Sequence, residues 1–270
     1  MSARRDAIME SFLAGGPLRD VDIVDCHAHL GPALYMQVPD SDPEGMVGVL
    51  DAMGVATACV SHSIGMVSDW KLGNDLLIEA CREYPKRIWG YAFCNPRYPG
   101  EVAAEMERCV RAGLAGLKIH PDFHDTPADS PLYDVVYEWA CAKNRVVLCH
   151  YGGGPGPRAG ARLYATVLKR FPRMQCIMAH SLPSPGAVDL AVELFGAREN
   201  VHFCLANAFP PGVIEYACKR LGAERLLYGS DGCWGSMAVR LGLVCCADLS
   251  EGDKRRILGG NMRALINRCA

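Results

Sequence analysis

The sequence predicts a parallel eight-stranded (β/α)8 barrel, and three observations support this fold class. Eight short apolar runs alternate with amphipathic segments along the 270 residues. Their spacing of about 25 to 35 residues is typical of βαβ units. An open doubly wound sheet would carry a glycine-rich phosphate loop after its first strand, whereas this chain has His27-Ala28-His29 there. We therefore predict one closed barrel domain over residues 1–270.

An N-terminal arm, residues 1–20, precedes the first predicted strand. The strand candidates are short, apolar and often β-branched, which is typical of parallel strands buried on both faces. They are Val21–Cys26, Val55–Ser61, Ile88–Phe93, Leu114–Ile119, Arg145–Cys149, Met174–Ala179, Val201–Leu205 and Arg225–Ser230.

The segments between the strands predict the outer helices. Several begin with proline, which fits the first turn because its missing N–H has no partner there, and many end at glycine or proline. They are Pro43–Met53, Lys71–Tyr84, Pro99–Ala112, Pro131–Lys143, Arg158–Phe171, Pro185–Ala197, Pro211–Leu221 and Ser236–Ala247, followed by a C-terminal helix over Gly252–Asn267.

Composition narrows the classes of partner. The net charge of −2 and the scattered basic residues argue against nucleic-acid binding. No apolar stretch reaches the roughly 18 residues that span a bilayer, and no signal-peptide pattern is present. The 14 cysteines contain no C-x-x-C pair, so we expect reduced, buried thiols in a cytoplasmic protein. A small molecule is the expected partner, and a homo-oligomer is left open.

Histidines and one aspartate follow the predicted strands. His27 and His29 are two residues apart, so both imidazoles point to one face of a strand. His150, His180 and Asp231 follow the fifth, sixth and eighth strands. In a barrel these positions meet at one end. Alternation predicts that Asp25 and Met178 also point inward, beside the histidines. Such nitrogen and oxygen donors suit a divalent metal.

With these motifs the chain resembles the amidohydrolase superfamily, in the branch that holds metal-dependent hydrolases and enzymes like aminocarboxymuconate-semialdehyde decarboxylase. The matching residues run in order from Asp25 to Asn261: Asp25-Cys26-His27-Ala28-His29, Gly116-Leu117-Lys118-Ile119-His120-Pro121, His150, His180, Tyr228-Gly229-Ser230-Asp231 and Ile257-Leu258-Gly259-Gly260-Asn261. The resemblance implies that one divalent ion, expected to be zinc, is held by His27, His29, His150 and Asp231. It also implies that His180 orients or deprotonates the metal-bound water, with Asp231 as a further proton acceptor.

Lys118 has two interpretations. In binuclear members of the superfamily a lysine on the fourth strand is carboxylated and bridges two metals. Lys118 precedes His120 by two residues, which places it one layer deeper in the barrel. We therefore expect one metal and an unmodified Lys118 paired with an acidic or carbonyl group, because a buried charge needs a partner.

Substrate contacts are less evident from the sequence. Candidates at strand ends or in the following loops are His62, Asn95, Arg97, His120, Tyr151, Arg158 and Trp234. His124 is expected in a loop, and His202 at the stability end of the barrel. The run Gly152-Gly153-Gly154-Pro155-Gly156-Pro157 lacks the Lys-Ser/Thr ending of a P-loop, so we interpret it as a flexible active-site loop.

Three functions remain possible. The first is a metal-dependent hydrolase that activates a metal-bound water to attack an amide, ester or lactone carbon. The alternative is a metal-dependent decarboxylase of the same superfamily, and the compact chain favours hydrolysis over it. The third is a metal-free barrel that only binds a ligand. It is disfavoured because buried polar residues without a partner would lower the stability of the fold.

Overall fold

A computed structural model, which describes residues 5–32, 38–152 and 158–269, confirms the predicted barrel. Eight parallel strands pair in chain order, each with the next. Because every neighbour runs parallel, the carboxyl ends of all eight strands lie at one end of the barrel. The strands are β1 (Ile23–Leu30), β2 (Val55–His62), β3 (Ile88–Phe93), β4 (Gly116–Ile119), β5 (Val147–Cys149), β6 (Cys176–Met178), β7 (Val201–Cys204) and β8 (Leu226–Leu227).

The segment that follows β8 closes the barrel against β1. The Cys26 N–H donates to the Tyr228 carbonyl at 2.9 Å, and the Asp231 N–H donates to the His27 carbonyl at 2.8 Å. β8 is shorter than the predicted Arg225–Ser230 because the Tyr228 N–H donates to the Ile257 carbonyl (2.8 Å) instead of continuing the ladder with β7. These bonds place Asp231 directly beside His27.

Helices follow the strands and cover the outside of the barrel. Those predicted over Arg158–Phe171 and Pro211–Leu221 begin a few residues later than expected. The helices are α1 (Ala7–Leu13), α2 (Pro43–Met53), α3 (Ser63–Val67), α4 (Trp70–Glu83), α5 (Pro99–Arg111), α6 (Asp134–Lys143), α7 (Ala161–Arg170), α8 (Pro185–Phe195), α9 (Val213–Leu221), α10 (Met237–Cys245), α11 (Glu251–Arg255) and α12 (Asn261–Cys269). Pro131–Tyr133 and Ala223–Arg225 form 3₁₀ turns, and Arg256–Gly260 a π-helical turn.

The barrel interior is a separate apolar cluster inside the ring of strands. Strand residues such as Cys26, Tyr91 and Leu148 pack there, and Met262 and Leu265 of α12 join them. The C-terminal helix therefore seals the end opposite the strand carboxyl ends. All 14 cysteines are free thiols, and several fill this interior as small apolar groups.

The prediction that side chains alternate strictly between the inside and the outside of the barrel was wrong for β1 and β6. The pairing of β1 with β2 slips between Asp25 and Ala28, and such a bulge adds one residue and reverses the faces. Val24 and Cys26 point into the barrel, as do His27 and His29 beyond the bulge, whereas Asp25 lies against the segment after β8. On β6, Met178 packs outward against the helices instead of inward.

In the part of the chain that the structure describes, the helices are too short or too polar to cross a lipid bilayer.

Candidate metal centre and catalytic cavity

Three side chains form a compact group of metal-binding atoms at the carboxyl end of the barrel. His27 and His29 come from β1, and Asp231 follows β8. Asp231 Oδ1 lies 3.3 Å from His29 Nε2 and 3.6 Å from His27 Nε2, and their donor atoms all lie within 4.8 Å of one another. Asp231 adopts a left-handed backbone (φ 53°), a strained conformation for a non-glycine residue that is often found at functional sites.

Buried hydrogen bonds fix the position of this group. Asp25 Oδ1 accepts from the backbone N–H of His27 and of Ser230, each at 3.0 Å, and the Ser230 hydroxyl also donates to the Asp25 carboxylate. Burial raises the pKa of Asp25 to about 7. On the other side, the Ser61 hydroxyl lies 3.2 Å from His29 Nδ1. Asp25 thus ties the two halves of the metal group together.

The protonation states suit a metal. Burial lowers the pKa of His27 and of His29, so both imidazoles are neutral at neutral pH and can act as ligands. Burial alone would raise the pKa of Asp231, but the neighbouring His27 and His29 lower this pKa by more. The pKa of Asp231 therefore lies well below its usual range. Two neutral imidazoles and a carboxylate are a donor set that fits a divalent transition metal.

His150 and His180 lie beside this group. The His180 ring is 5.5 Å from that of His27 and 4.8 Å from that of His150, centroid to centroid. His180 has a left-handed backbone (φ 38°), which turns its imidazole into the cavity although the alternation of β6 was predicted wrongly. Burial lowers the pKa of His180 to about 4 and that of His150 well below its usual value.

His150 contacts a second group of donors that the sequence analysis did not foresee. Its Nε2 lies 3.5 Å from Asp122 Oδ2, and its ring stacks on His120 at 3.6 Å. His120, Asp122 and His150 form a second set of donor atoms within 4.8 Å of one another. The role of His150 as a ligand beside His27 and His29 stays a prediction.

Lys118 is fully buried on β4 and contacts the first group. Its Nζ lies 3.1 Å from His27 Nε2, so the expected pairing with an acidic or carbonyl group was wrong. The reason is that the bulge in β1 turns His27 across the barrel toward β4. Burial lowers the pKa of Lys118 to about 8. That Lys118 is unmodified beside a single metal, rather than bridging two metals, stays a prediction.

The metal group, Lys118 and the three neighbouring histidines His120, His150 and His180 line one cavity of about 330 Å³. Its wall also has an apolar and aromatic part. Trp234 stacks on His29 with centroids 4.4 Å apart, and Phe123 meets the His120 ring edge-on at 4.5 Å. The lining residues are His27, His29, Met66, Lys118, His120, Phe123, His150, His180, Asp231 and Trp234. The cavity thus combines polar donors with a flat apolar wall.

Of the predicted substrate contacts, His120 and Trp234 lie in this wall. The other five are not among the described residues that line the cavity, and their substrate role stays a prediction. His62 accepts the Ile64 N–H at the start of α3, Asn95 accepts the Arg97 N–H, Arg97 and Arg158 both pair with Asp125, and Tyr151 is buried near Tyr164. Residues 153–157 of the predicted glycine-rich loop lie outside the described residues.

Two further histidines lie away from the cavity. His124 is buried and its Nδ1 lies 2.8 Å from the Tyr133 hydroxyl. His202 is buried in β7, near the end of the barrel that α12 closes.

Sequence reasoning missed Met66, Asp122 and Phe123. The last two follow His120 immediately after a strand, so the rule that pointed to His120 could also have pointed to them. Met66 gave no signal, because it belongs to the short helix α3, which interrupts the connection after β2.

A sequence model of the amidohydrolase family matches residues 24–268. The chain is similar in structure to 2,6-dihydroxybenzoate decarboxylase from Rhizobium (18% identity, TM-score 0.71, 92% of this chain and 99% of that chain). It is also similar to 5-carboxyvanillate decarboxylase from Sphingomonas paucimobilis (16%, 0.73, 92% and 99%). A third similar structure is a 5-carboxyvanillate decarboxylase variant from Novosphingobium aromaticivorans with bound manganese and 3-methoxy-4-hydroxy-5-nitrobenzoic acid (15%, 0.73, 94% and 99%).

Proposed function

Because the chain belongs to the amidohydrolase family, as its motifs had indicated, we propose that it is a metal-dependent decarboxylase acting on a carboxylated aromatic compound. This was the alternative reading of the sequence, which favoured hydrolysis because the chain is compact. The match to the decarboxylases extends over 92% of this chain and 99% of theirs, so compactness does not argue against decarboxylation.

One observation carries the proposal: the metal group shares its cavity with a flat aromatic wall. The Trp234 indole lies nearly parallel to the His29 ring, with an interplanar angle of 15°, and Phe123 and Met66 add apolar side chains to the cavity wall. A planar ring packs favourably against such a surface, while its carboxylate faces the histidines. Two structures similar to this chain, a 2,6-dihydroxybenzoate decarboxylase and a 5-carboxyvanillate decarboxylase variant, hold ring acids of this kind.

The residues present fit a divalent ion held by His27, His29 and Asp231, with His150 as the further predicted ligand. When bound, the ion supplies a positive charge that orients the substrate's oxygens and stabilises negative charge. Manganese is bound in one similar structure, and zinc is the ion expected from the sequence. We propose that either ion can occupy this nitrogen- and oxygen-rich site.

In this reaction the bond between the ring carbon and the carboxylate carbon breaks. The bonding electrons stay on the ring carbon, which takes up one proton, and the carboxylate leaves as CO2. We assign the proton transfer to His180, which lies beside the metal group in the cavity wall. Its pKa of about 4 keeps the imidazole neutral, so one ring nitrogen gives its proton to the ring carbon while the other takes a proton from solvent. Buried Lys118 places a further amine beside His27 to offset negative charge.

The test is a reaction of manganese- or zinc-loaded protein with a panel of hydroxybenzoates in D2O, in parallel with a panel of esters, lactones and amides. We expect CO2 release and one deuterium on the ring carbon that lost the carboxylate. Asp231→Asn should abolish turnover. Asp51→Asn, which changes an exposed carboxylate at the opposite end of the barrel, should leave turnover unchanged. Hydrolysis products without CO2 would show that the hydrolase reading is correct.

A further inference from the structure

The loop that follows β4 holds the His150 imidazole from two directions. On one face of the ring, His120 stacks on His150 with centroids 3.6 Å apart and an interplanar angle of 17°. At one edge of the ring, Asp122 Oδ2 lies 3.5 Å from His150 Nε2. The His120 ring is itself held, because its Nδ1 accepts the Phe123 N–H at 3.3 Å. Stacking thus fixes the plane of the His150 ring, and the carboxylate fixes which edge of that ring faces the loop.

The stacked pair of rings argues against a second metal site at this loop. The lone pair of an imidazole nitrogen lies in the plane of the ring, and a bound divalent ion lies in that plane about 2.1 Å from the nitrogen. Two nearly parallel rings with centroids 3.6 Å apart have no such point in common. His120 and His150 therefore cannot bind the same ion without breaking the stack, and the Asp122 carboxylate has a different use.

A carboxylate beside a neutral imidazole selects the position of the ring proton. The neutral ring carries its proton on one nitrogen and a lone pair on the other. Because a carboxylate accepts a hydrogen bond only from the protonated nitrogen, Asp122 favours the proton on His150 Nε2 and leaves the lone pair on Nδ1. Imidazoles that bind metals commonly donate their other N–H to a carboxylate in this way. His150 lines the cavity of the metal group with 20% of its side chain exposed, so an ion can reach it.

We propose that Asp122 is a positioning residue that holds the proton of His150 on Nε2, so that His150 binds the ion of the metal group through Nδ1. The inference rests on the proposed function only in requiring a metal ion, and it applies to decarboxylation and hydrolysis alike. Asp122 is not among the described residues that line the cavity, so it acts through His150 and not on the substrate.

The first test determines the tautomer of His150 in metal-free protein by nitrogen NMR, which distinguishes a protonated ring nitrogen from one with a lone pair. His150→Ala identifies the signals by removing them. In the wild type we expect the proton on Nε2. In Asp122→Ala the shifts of the two nitrogens should move toward each other, because part of the proton population moves to Nδ1. Asp125→Asn, which changes a carboxylate of the same loop that pairs with Arg158 instead, should keep the wild-type signals.

The second test measures the dissociation constant of zinc by competition with a chelator. Asp122→Ala should raise Kd about 10-fold, the lower end of the usual effect of removing such a partner, because Asp122 is 35% exposed and water competes for the hydrogen bond. Asp122→Asn keeps an acceptor oxygen without the charge and should give an intermediate Kd. Asp125→Asn should bind zinc like the wild type.

A double-mutant cycle separates positioning from a simple effect of charge. If Asp122 acts through His150, then Asp122→Ala should weaken zinc binding little further in protein that already carries His150→Ala. Equal weakening in both backgrounds would show that the carboxylate acts by its charge alone and would overturn the inference. A proton on Nδ1 in the wild type, or an unchanged Kd in Asp122→Ala, would also overturn it. Two zinc ions in the wild type and one in Asp122→Ala would show that the loop binds an ion after all.

These readouts are independent of turnover. A tautomer and a Kd that depend on Asp122, in protein that releases no CO2 from any ring acid, would support the role of Asp122 and refute the decarboxylase assignment. CO2 release from protein whose tautomer and Kd do not depend on Asp122 would refute the positioning role alone.

Discussion

Replacing Asp25 with asparagine tests how the metal group is held in place. The Asp25 carboxyl is fully buried, accepts the N–H groups of His27 and Ser230 and contacts the Ser230 hydroxyl. Asparagine keeps the oxygen that accepts both N–H groups, and its amide can donate to the hydroxyl. The substitution therefore preserves the contacts and removes only the ability to ionise.

The pKa of Asp25 sets the size and the sign of the effect. Burial raises this pKa from 3.8 to about 7, so the folded protein binds more protons here than the unfolded chain does between these values. The stabilisation that Asp25 gives in its protonated form is present below about pH 4 and is lost as the pH rises toward 7. A difference of roughly three pKa units corresponds to about 4 kcal/mol, an order-of-magnitude figure.

The measurement is the free energy of unfolding of metal-free protein, from urea titrations at several pH values between 4 and 8, for the wild type and Asp25→Asn. The difference between the two proteins cancels the groups they share. Relative to the variant, the wild type should lose about 4 kcal/mol across this range. Two parallel curves would refute the argument, because Asp25 would then ionise in the folded protein as easily as in the unfolded chain.

Three further predictions concern the cavity. His29→Ala removes a donor atom, so we expect lower metal content by elemental analysis and lower turnover; full metal occupancy would contradict the ligand role. His180→Asn should keep most of the metal but lower kcat by roughly 10²-fold, the usual scale for a lost proton-transfer group, and an emptied site would reverse the two roles. Lys118→Met, measured in the same two assays, should keep a single metal and lower kcat, because a similar volume stays filled but the amine beside His27 is gone; loss of a second metal equivalent would instead show that Lys118 bridges two ions.

The barrel could be predicted because its determinants are local. Buried parallel strands read as short apolar runs, and the spacing between runs leaves room for one helix each. The end of β8 could not be predicted in this way. Tyr228 continues the apolar run, but its N–H pairs with Ile257, which is far along the chain. Such a long-range contact leaves no trace in a periodic pattern.

The gathering of His27, His29 and Asp231 also followed from the fold, since any parallel barrel brings the carboxyl ends of its strands together. The orientation of each ring did not follow. His27 points inward because a bulge reverses the faces of β1, and His180 does so because of its left-handed backbone. Strict alternation of side chains along a strand predicts neither the bulge in β1 nor the left-handed backbone of His180. The histidines of β1 and β6 nevertheless face the cavity, as the sequence analysis predicted.

For His150 the sequence predicts the position of the residue but not the orientation of its ring. Its position after β5 places it in the cavity, but a strand position does not fix the rotation of an imidazole. Stacking on His120 and the nearby Asp122 carboxylate turn its Nε2 toward the second group of donors. Both contacts depend on the path of the loop after β4, which no periodic pattern encodes. The His150 imidazole can therefore act as a donor in either group of side chains. Packing between two loops decides which group it joins, and its position in the sequence does not.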